Sequence, residues 1–276
     1  MSDGATADLG PSARAYFYVC RSLGWLLRSA KYSNVRIVTQ DGRCQIQKRR
    51  AFYAPVLVGM SGPLMRVLDT GVRVLPQREW HAREASLYRS LYGLSISVAA
   101  DGTLLLPCLP GQTLASVLEQ QPSAETPRRR AVALAAAALA AFHRLGLTHG
   151  DAMAENVLID AEAEVARWFD FETVHEAQRP SEWRRADDVR ALLVTCLART
   201  VPERHAETIQ LILGVYADEA VSRTLIASFR SVWRRSLTFH LAQARFTLEN
   251  FKKLERFFRR SRIQSDSLPD TAPVID

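Results

Sequence analysis

The sequence predicts an α+β fold, with a small lobe of antiparallel strands followed by a larger helical lobe. Three observations predict it. Short alternating apolar segments turn on Asp-Gly pairs before residue 107, helical spacing takes over after Gly111, and Pro107, Pro110 and Gly111 mark the change. The 276 residues carry 47% hydrophobic and 24% charged side chains, which excludes collagen, bulk disorder and disulfide mini-scaffolds.

The elements follow in order. Residues 1–12 read as disordered, and 13–30 as an amphipathic helix with Tyr16, Leu23, Leu26 and Leu27 among Arg14, Arg21 and Arg28. Val35 and Ile37, then Cys44 and Ile46, alternate on either side of Asp41-Gly42, a hairpin signal whose second strand runs into Lys48. Residues 78–91 read as a helix with Leu87 and Leu91 four apart. A second hairpin over 95–106 turns on Asp101-Gly102. Beyond Gly111, Thr126-Pro127 reads as a cap and first-turn proline opening an alanine-rich helix over 128–145. Further helices are expected over 186–199, over 206–217 and from Val221 onward. The predicted organisation is a strand-rich lobe with its preceding helix at 13–107, a helical lobe at 108–262 and a disordered tail at 263–276.

The longest apolar run, 131–142, has twelve residues, against the roughly 20 that a membrane span needs. With no basic, apolar leader at its N-terminus, the chain is expected to be cytoplasmic. Cys20, Cys44, Cys108 and Cys196 form no CxxC, so free thiols are expected rather than a zinc site or disulfide frame. The net charge of +7 is uneven, because residues 230–262 hold ten Arg or Lys and only two acids. Leu237, Leu241, Ala244, Leu248, Phe251, Leu254 and Phe258 give that stretch one apolar stripe. It suits either a packing face or peripheral contact with an anionic membrane, and no nucleic-acid module is recognisable.

The chemistry concentrates in His149-Gly150-Asp151, Asn156 five residues on, and Asp170-Phe171-Glu172 at the end of a second apolar strand. Phosphoryl transfer is a problem of positioning and charge neutralisation. One carboxylate must accept the proton of an attacking hydroxyl, while an amide oxygen and a second carboxylate hold magnesium. Asp151 is the candidate base, and Asn156 and Asp170 are the candidate metal ligands.

These residues resemble the protein kinase-like superfamily, whose catalytic loop reads His-x-Asp-x-x-x-x-Asn and whose metal loop reads Asp-Phe-Gly. The resemblance implies a two-lobed fold with ATP between the lobes. It implies that Lys48 grips the α- and β-phosphates and that Glu84 pairs with Lys48, with Glu79 as the competing partner. It further implies that the stretch holding Leu106 and Cys108 receives adenine through its backbone, and that His149 and Asp188 brace the catalytic loop. Lys48 also reads as a surface lysine beside Arg49 and Arg50, and Glu84 as an exposed helix glutamate.

The departures narrow the branch. No G-x-G-x-x-G precedes Lys48, Met153 follows the catalytic aspartate by two, the metal loop is Asp-Phe-Glu, and the thirteen residues 173–185 lack A-P-E. His149-Gly150-Asp151, with Glu79-Trp80 after a long post-lysine stretch, is similar to lipopolysaccharide core and Kdo kinases and to aminoglycoside-phosphotransferase-like enzymes. The resemblance thus implies an ATP- and magnesium-dependent phosphotransferase acting on a hydroxyl of a sugar, lipid-linked glycan or other small molecule, cytoplasmic or peripheral at the inner membrane face. The alternatives are a pseudokinase that binds nucleotide for regulation, or an atypical Ser/Thr protein kinase.

Overall fold

The computed structural model describes residues 33–40, 42–56, 58–59, 70–120, 125–228 and 257. In chain order the elements are β1 (Ser33–Gln40), β2 (Arg43–Arg50), β3 (Val72–Val74), α1 (Gln77–Tyr92), β4 (Ser97–Val98), β5 (Leu104–Pro107) and β6 (Gln112–Thr113). There follow α2 (Leu114–Gln120), α3 (Glu125–Arg144), β7 (Val157–Asp160), β8 (Val165–Trp168), β9 (Thr173–His175), α4 (Ser181–Leu197), α5 (His205–Tyr216) and α6 (Glu219–Ser228). The protein is a mixture of helices and small antiparallel sheets.

β1, β2, β5 and β4 form a four-stranded sheet in the order β1-β2-β5-β4. Gly42, at φ 71°, makes the turn between β1 and β2. That turn sets a register in which Val35 lies opposite Lys48, and Ile37 opposite Ile46. β2 then pairs with β5, Ile46 against Leu106 and Lys48 against Leu104. Residues directly opposite share a face, so Val35, Ile37, Ile46, Lys48, Leu104 and Leu106 all lie on one side of the sheet. A second sheet, β6-β7-β8, holds the hairpin between Asn156 and Asp170. A two-stranded sheet joins β3 to β9, pairing a segment from before α1 with the segment that follows Glu172.

The helices bury one continuous core. Ala131, Ala135, Ala136 and Ala140 are buried on α3, and their small side chains let it pack closely against α5. Leu192 and Leu193 of α4, with Leu114 and Leu139, are among the largest wholly buried side chains. α1 ends at Gly93, whose φ of 66° allows a left-handed cap that returns its N–H to the carbonyl of Arg89. No helix among the described residues is long and apolar enough to cross a membrane.

Several expectations are corrected. α3 begins at Glu125, so Thr126 and Pro127 fall inside its first turn, where a proline sacrifices no helical hydrogen bond. α4 begins at Ser181, directly after Pro180, and absorbs residues expected to be loop. Cys44 and Cys108 are joined in a disulfide rather than free; only Cys196 is a free, buried thiol among the described residues. Pairing of Gln45 with Pro107 sets the two neighbouring cysteines side by side, Cα atoms 5.5 Å apart across a separation of 64 residues. Spacing alone cannot reveal such a pair. Peptide mapping of alkylated protein without reductant is expected to recover residues 44 and 108 in one linked species; two separately alkylated peptides would contradict it. The expected helix at 13–30, the basic helix at 230–262 apart from Phe257, and both disordered ends lie outside the described residues.

Candidate active site

β8 ends at Trp168 and the chain turns sharply at Asp170, whose φ is 67°. A non-glycine residue holds this left-handed conformation only where its surroundings compensate. Here the next amide, Phe171 N–H, donates to Glu84 Oε2 over 3.0 Å. The Phe171 ring is wholly buried, stacked 5.9 Å from Phe142 and 5.1 Å from the His149 ring. One aromatic cluster thus ties α1, α3, the His149 loop and the Asp170 loop together.

The His149-Gly150-Asp151 turn hangs from α4. Asp188 is buried, at 1% exposure, and accepts the N–H of His149 (2.7 Å) and of Gly150 (2.8 Å), with His143 Nε2 at 3.0 Å. Gly150 has φ 84°, and a Cβ there would stand 3.0 Å from the backbone of Val174, so the loop and β9 approach closely only with glycine between them. Burial pulls the His149 pKa down to about 4, leaving the ring neutral at pH 7. Its Nε2–H donates to the carbonyl of Phe169 at 3.0 Å, and its Nδ1 accepts the N–H of Asp151 at 3.3 Å. Both bonds require one tautomer, so the ring holds the loop rather than moving protons.

Asp151 is half-buried, and its Oδ2 accepts a hydrogen bond from Asn156 Nδ2 at 2.9 Å. The same amide nitrogen donates to the backbone carbonyl of Asp151 at 2.8 Å. Burial, then the nearby charges of Asp170 and Glu155, push the Asp151 carboxyl up to about 8. Asn156 has thus committed its amide hydrogens to Asp151, and its Oδ1 is left as an acceptor. An amide oxygen and the Asp170 carboxylate are the hard oxygen donors that suit magnesium completed by phosphate and water.

Lys48 reaches this loop from the sheet. It is 6% exposed, makes an ion pair with Asp170, lies 3.4 Å from Glu172 Oε2 and stands 5.0 Å above the Trp80 ring. Burial works against its charge, yet Asp170, Glu172 and Glu84 outweigh that and hold its pKa above the ordinary lysine value. It is not a surface lysine. Glu84 is equally buried, but it makes no ion pair with Lys48: its Oε2 is taken by Trp80 Nε1 and the Phe171 amide, each at 3.0 Å. Glu79 pairs instead with Arg73 at the surface. The expected Lys48–Glu84 pair is therefore replaced by Lys48 with Asp170 and Glu172, because the turn at Asp170 brings both carboxylates to the strand end.

The sequence reading missed Glu172 as a neighbour of Lys48. It also missed that Val35 and Ile37, 56% and 73% exposed, share a sheet face with Lys48. The second was recoverable, since the Asp-Gly turn sets the register; the first was not, since 124 positions separate Lys48 from Glu172. Leu106 is buried on that same face, and Cys108 follows β5 with its sulfur in the disulfide.

A lysine on a strand, a carboxylate and amide on one loop and a second carboxylate on the next make up the set that kinase-like proteins use. Residues 109–211, which hold His149, Asp151, Asn156, Asp170 and Asp188 but not Lys48, match the model of the lipopolysaccharide kinase (Kdo/WaaP) family. That match agrees with the resemblance to the lipopolysaccharide kinases within the protein kinase-like superfamily. No curated protein matches the chain.

Proposed function

We propose that this chain is an ATP- and magnesium-dependent phosphotransferase that moves the γ-phosphate to a hydroxyl of a sugar or lipid-linked glycan, with the strand-rich part and the helical part as two lobes around the nucleotide. The observation that carries this reading is that Asp151, bonded to Asn156, and Asp170, paired with Lys48, stand on two loops tied by the Phe171–His149 contact, with the Asp170 charge near enough to raise the Asp151 carboxyl. The ionised form of Asp151, bonded to Asn156, accepts the hydroxyl proton as the oxygen attacks, and because its carboxyl is raised to about 8 that form is the minor one at pH 7. Asn156 Oδ1 and Asp170 would hold magnesium, which supplies charge neutralisation at the phosphates. Lys48 leaves Asp170 for the α- and β-phosphates. The purine lies against Ile37 and Ile46, and the backbone between Leu106 and Cys108 meets its edge.

The exposure of Ile37 supports this reading, since an apolar side chain on the lysine face of the sheet gains by covering a flat ring. Between β9 and α4 only residues 176–180 remain, too short a platform for an extended peptide acceptor, which favours a small or glycan acceptor over a protein. A glycan anchored in lipid would bring the enzyme to the inner membrane face.

A thermal-shift titration tests the reading. A ligand of the folded state at 100 times its Kd stabilises it by about 2.7 kcal/mol. ATP with magnesium is expected to raise the midpoint more than ATP with a chelator does. No response to millimolar ATP in either condition would reject the proposal and leave the fold as a scaffold.

A further inference from the structure

We infer that Glu172, and not the helix glutamate Glu84, positions Lys48 for the nucleotide phosphates; the inference rests on the phosphotransferase reading above and names the residue that makes its lysine effective. Two carboxylates stand at Lys48 Nζ, those of Asp170 and Glu172. Asp170 is the one that the reaction needs for the metal, so an ammonium that depended on Asp170 alone would compete for it. Glu172 has no such second duty. Its Oε2 lies 3.4 Å from Nζ and accepts a hydrogen bond from Ser33 Oγ at 3.2 Å.

The backbone around Glu172 is also held. Its carbonyl accepts the N–H of Leu75 at 2.8 Å, and the next residue, Thr173, opens β9 opposite Val74. The β3–β9 ladder therefore keeps the Glu172 side chain under the end of β2. Glu84 makes no ion pair with Lys48, and its Oε2 takes the Trp80 indole N–H and the Phe171 amide. It clamps the backbone of the metal loop. The third position of the Asp-Phe-Glu sequence thus supplies the carboxylate that α1 does not deliver to Lys48.

The test compares full-length wild type with Glu172→Gln, Glu172→Asp and Glu84→Gln. Binding of ATP without magnesium is measured by calorimetry, and KM for ATP is measured separately from kcat. Glutamine keeps the size of Glu172 and an acceptor for Ser33 while removing the charge. Glu172→Gln is expected to weaken magnesium-free ATP binding by about tenfold, or about 1.4 kcal/mol, with a matching rise in KM that exceeds the fall in kcat. Glu172→Asp keeps the charge but shortens its reach, and is expected to fall between Gln and wild type; this graded order is not what loss of a purely structural contact produces. Glu84→Gln is expected to affect ATP binding less than Glu172→Gln, because its amide oxygen still accepts from Trp80 and Phe171.

Wild-type ATP affinity in Glu172→Gln, or a loss in Glu84→Gln as large as in Glu172→Gln, would overturn the inference while leaving the phosphotransferase reading intact. If Glu172→Gln does not fold, the comparison of Glu172→Asp with Glu84→Gln decides, and an Asp variant no weaker than the Glu84 variant overturns it. Failure of wild type to bind ATP would reject the phosphotransferase reading itself, and this inference with it.

Discussion

Asp151→Asn is expected to lower phosphoryl transfer by about 10²- to 10⁴-fold and, at the same time, to make the folded chain more stable above neutral pH. Both effects come from one cause. Burial, Asp170 and Glu155 raise the Asp151 carboxyl to about 8, whereas in the unfolded chain it titrates near the model-peptide value of about 3.9. Between those values the folded state binds a proton that the unfolded state has released. Stability therefore falls as pH rises through that window, since the unfolded state binds fewer protons. Asparagine cannot ionise, and its carbonyl still accepts from Asn156 Nδ2, so the variant escapes this loss. Thermal melts at pH 5 and pH 8 should show a gap in favour of the variant that widens at the higher pH, while labelled ATP with envelope and small-molecule extracts should show transfer lowered by that factor. Turnover near the wild-type level would remove Asp151 from the role of base. For the wild type, kcat/KM should climb on the acid side with an apparent pKa well above that of an ordinary carboxylate.

Asp188→Ala is expected to cost about 3–5 kcal/mol of stability, the usual result of removing one partner from a buried charged network. Its two oxygens accept the His149 and Gly150 amides and meet His143 Nε2, with His175 Nε2 3.8 Å away. Alanine would leave two buried N–H groups without an acceptor, each costing about 1–3 kcal/mol, and would release the loop that carries Asp151. Burial alone would raise the Asp188 pKa, but His175 and His143 outweigh it and hold the carboxyl below its usual value. The stability that Asp188 contributes is therefore present above the unfolded carboxylate pKa and lost as pH falls through the lower folded value. His175 runs the other way. Burial opposes its charge, yet Asp188 and Asp187 raise its pKa, so its contribution is full below the unfolded histidine value and fades as pH rises through the folded one. Urea unfolding at pH 7 checks the main claim. A change under about 1 kcal/mol would mean that Asp188 is not the support of the loop.

The paired Asp-Gly turns, the helix of residues 78–91 and the apolar strand before Asp170 were legible because each is written in local periodicity and turn chemistry. β3, β9 and β6 were not, since strands of two or three residues carry no period and exist only through their partners. Among the candidate site residues, Asp151, Asn156 and Asp170 could be named from spacing along the chain. The buried state of Lys48 and Glu84 could not, because a lysine beside two arginines and a glutamate on a helix look solvated until the Trp80 side of α1 closes over them.

Local order determined the longer strands and helices, and which oxygen-bearing side chains are candidates for phosphoryl transfer, because turn residues, apolar periods and ligand chemistry act over a few positions. Which carboxylate meets Lys48 and which cysteines join were decided only in three dimensions. Those contacts span 124 and 64 positions, and burial, register and a single left-handed turn at Asp170 choose among several side chains that are equivalent on paper.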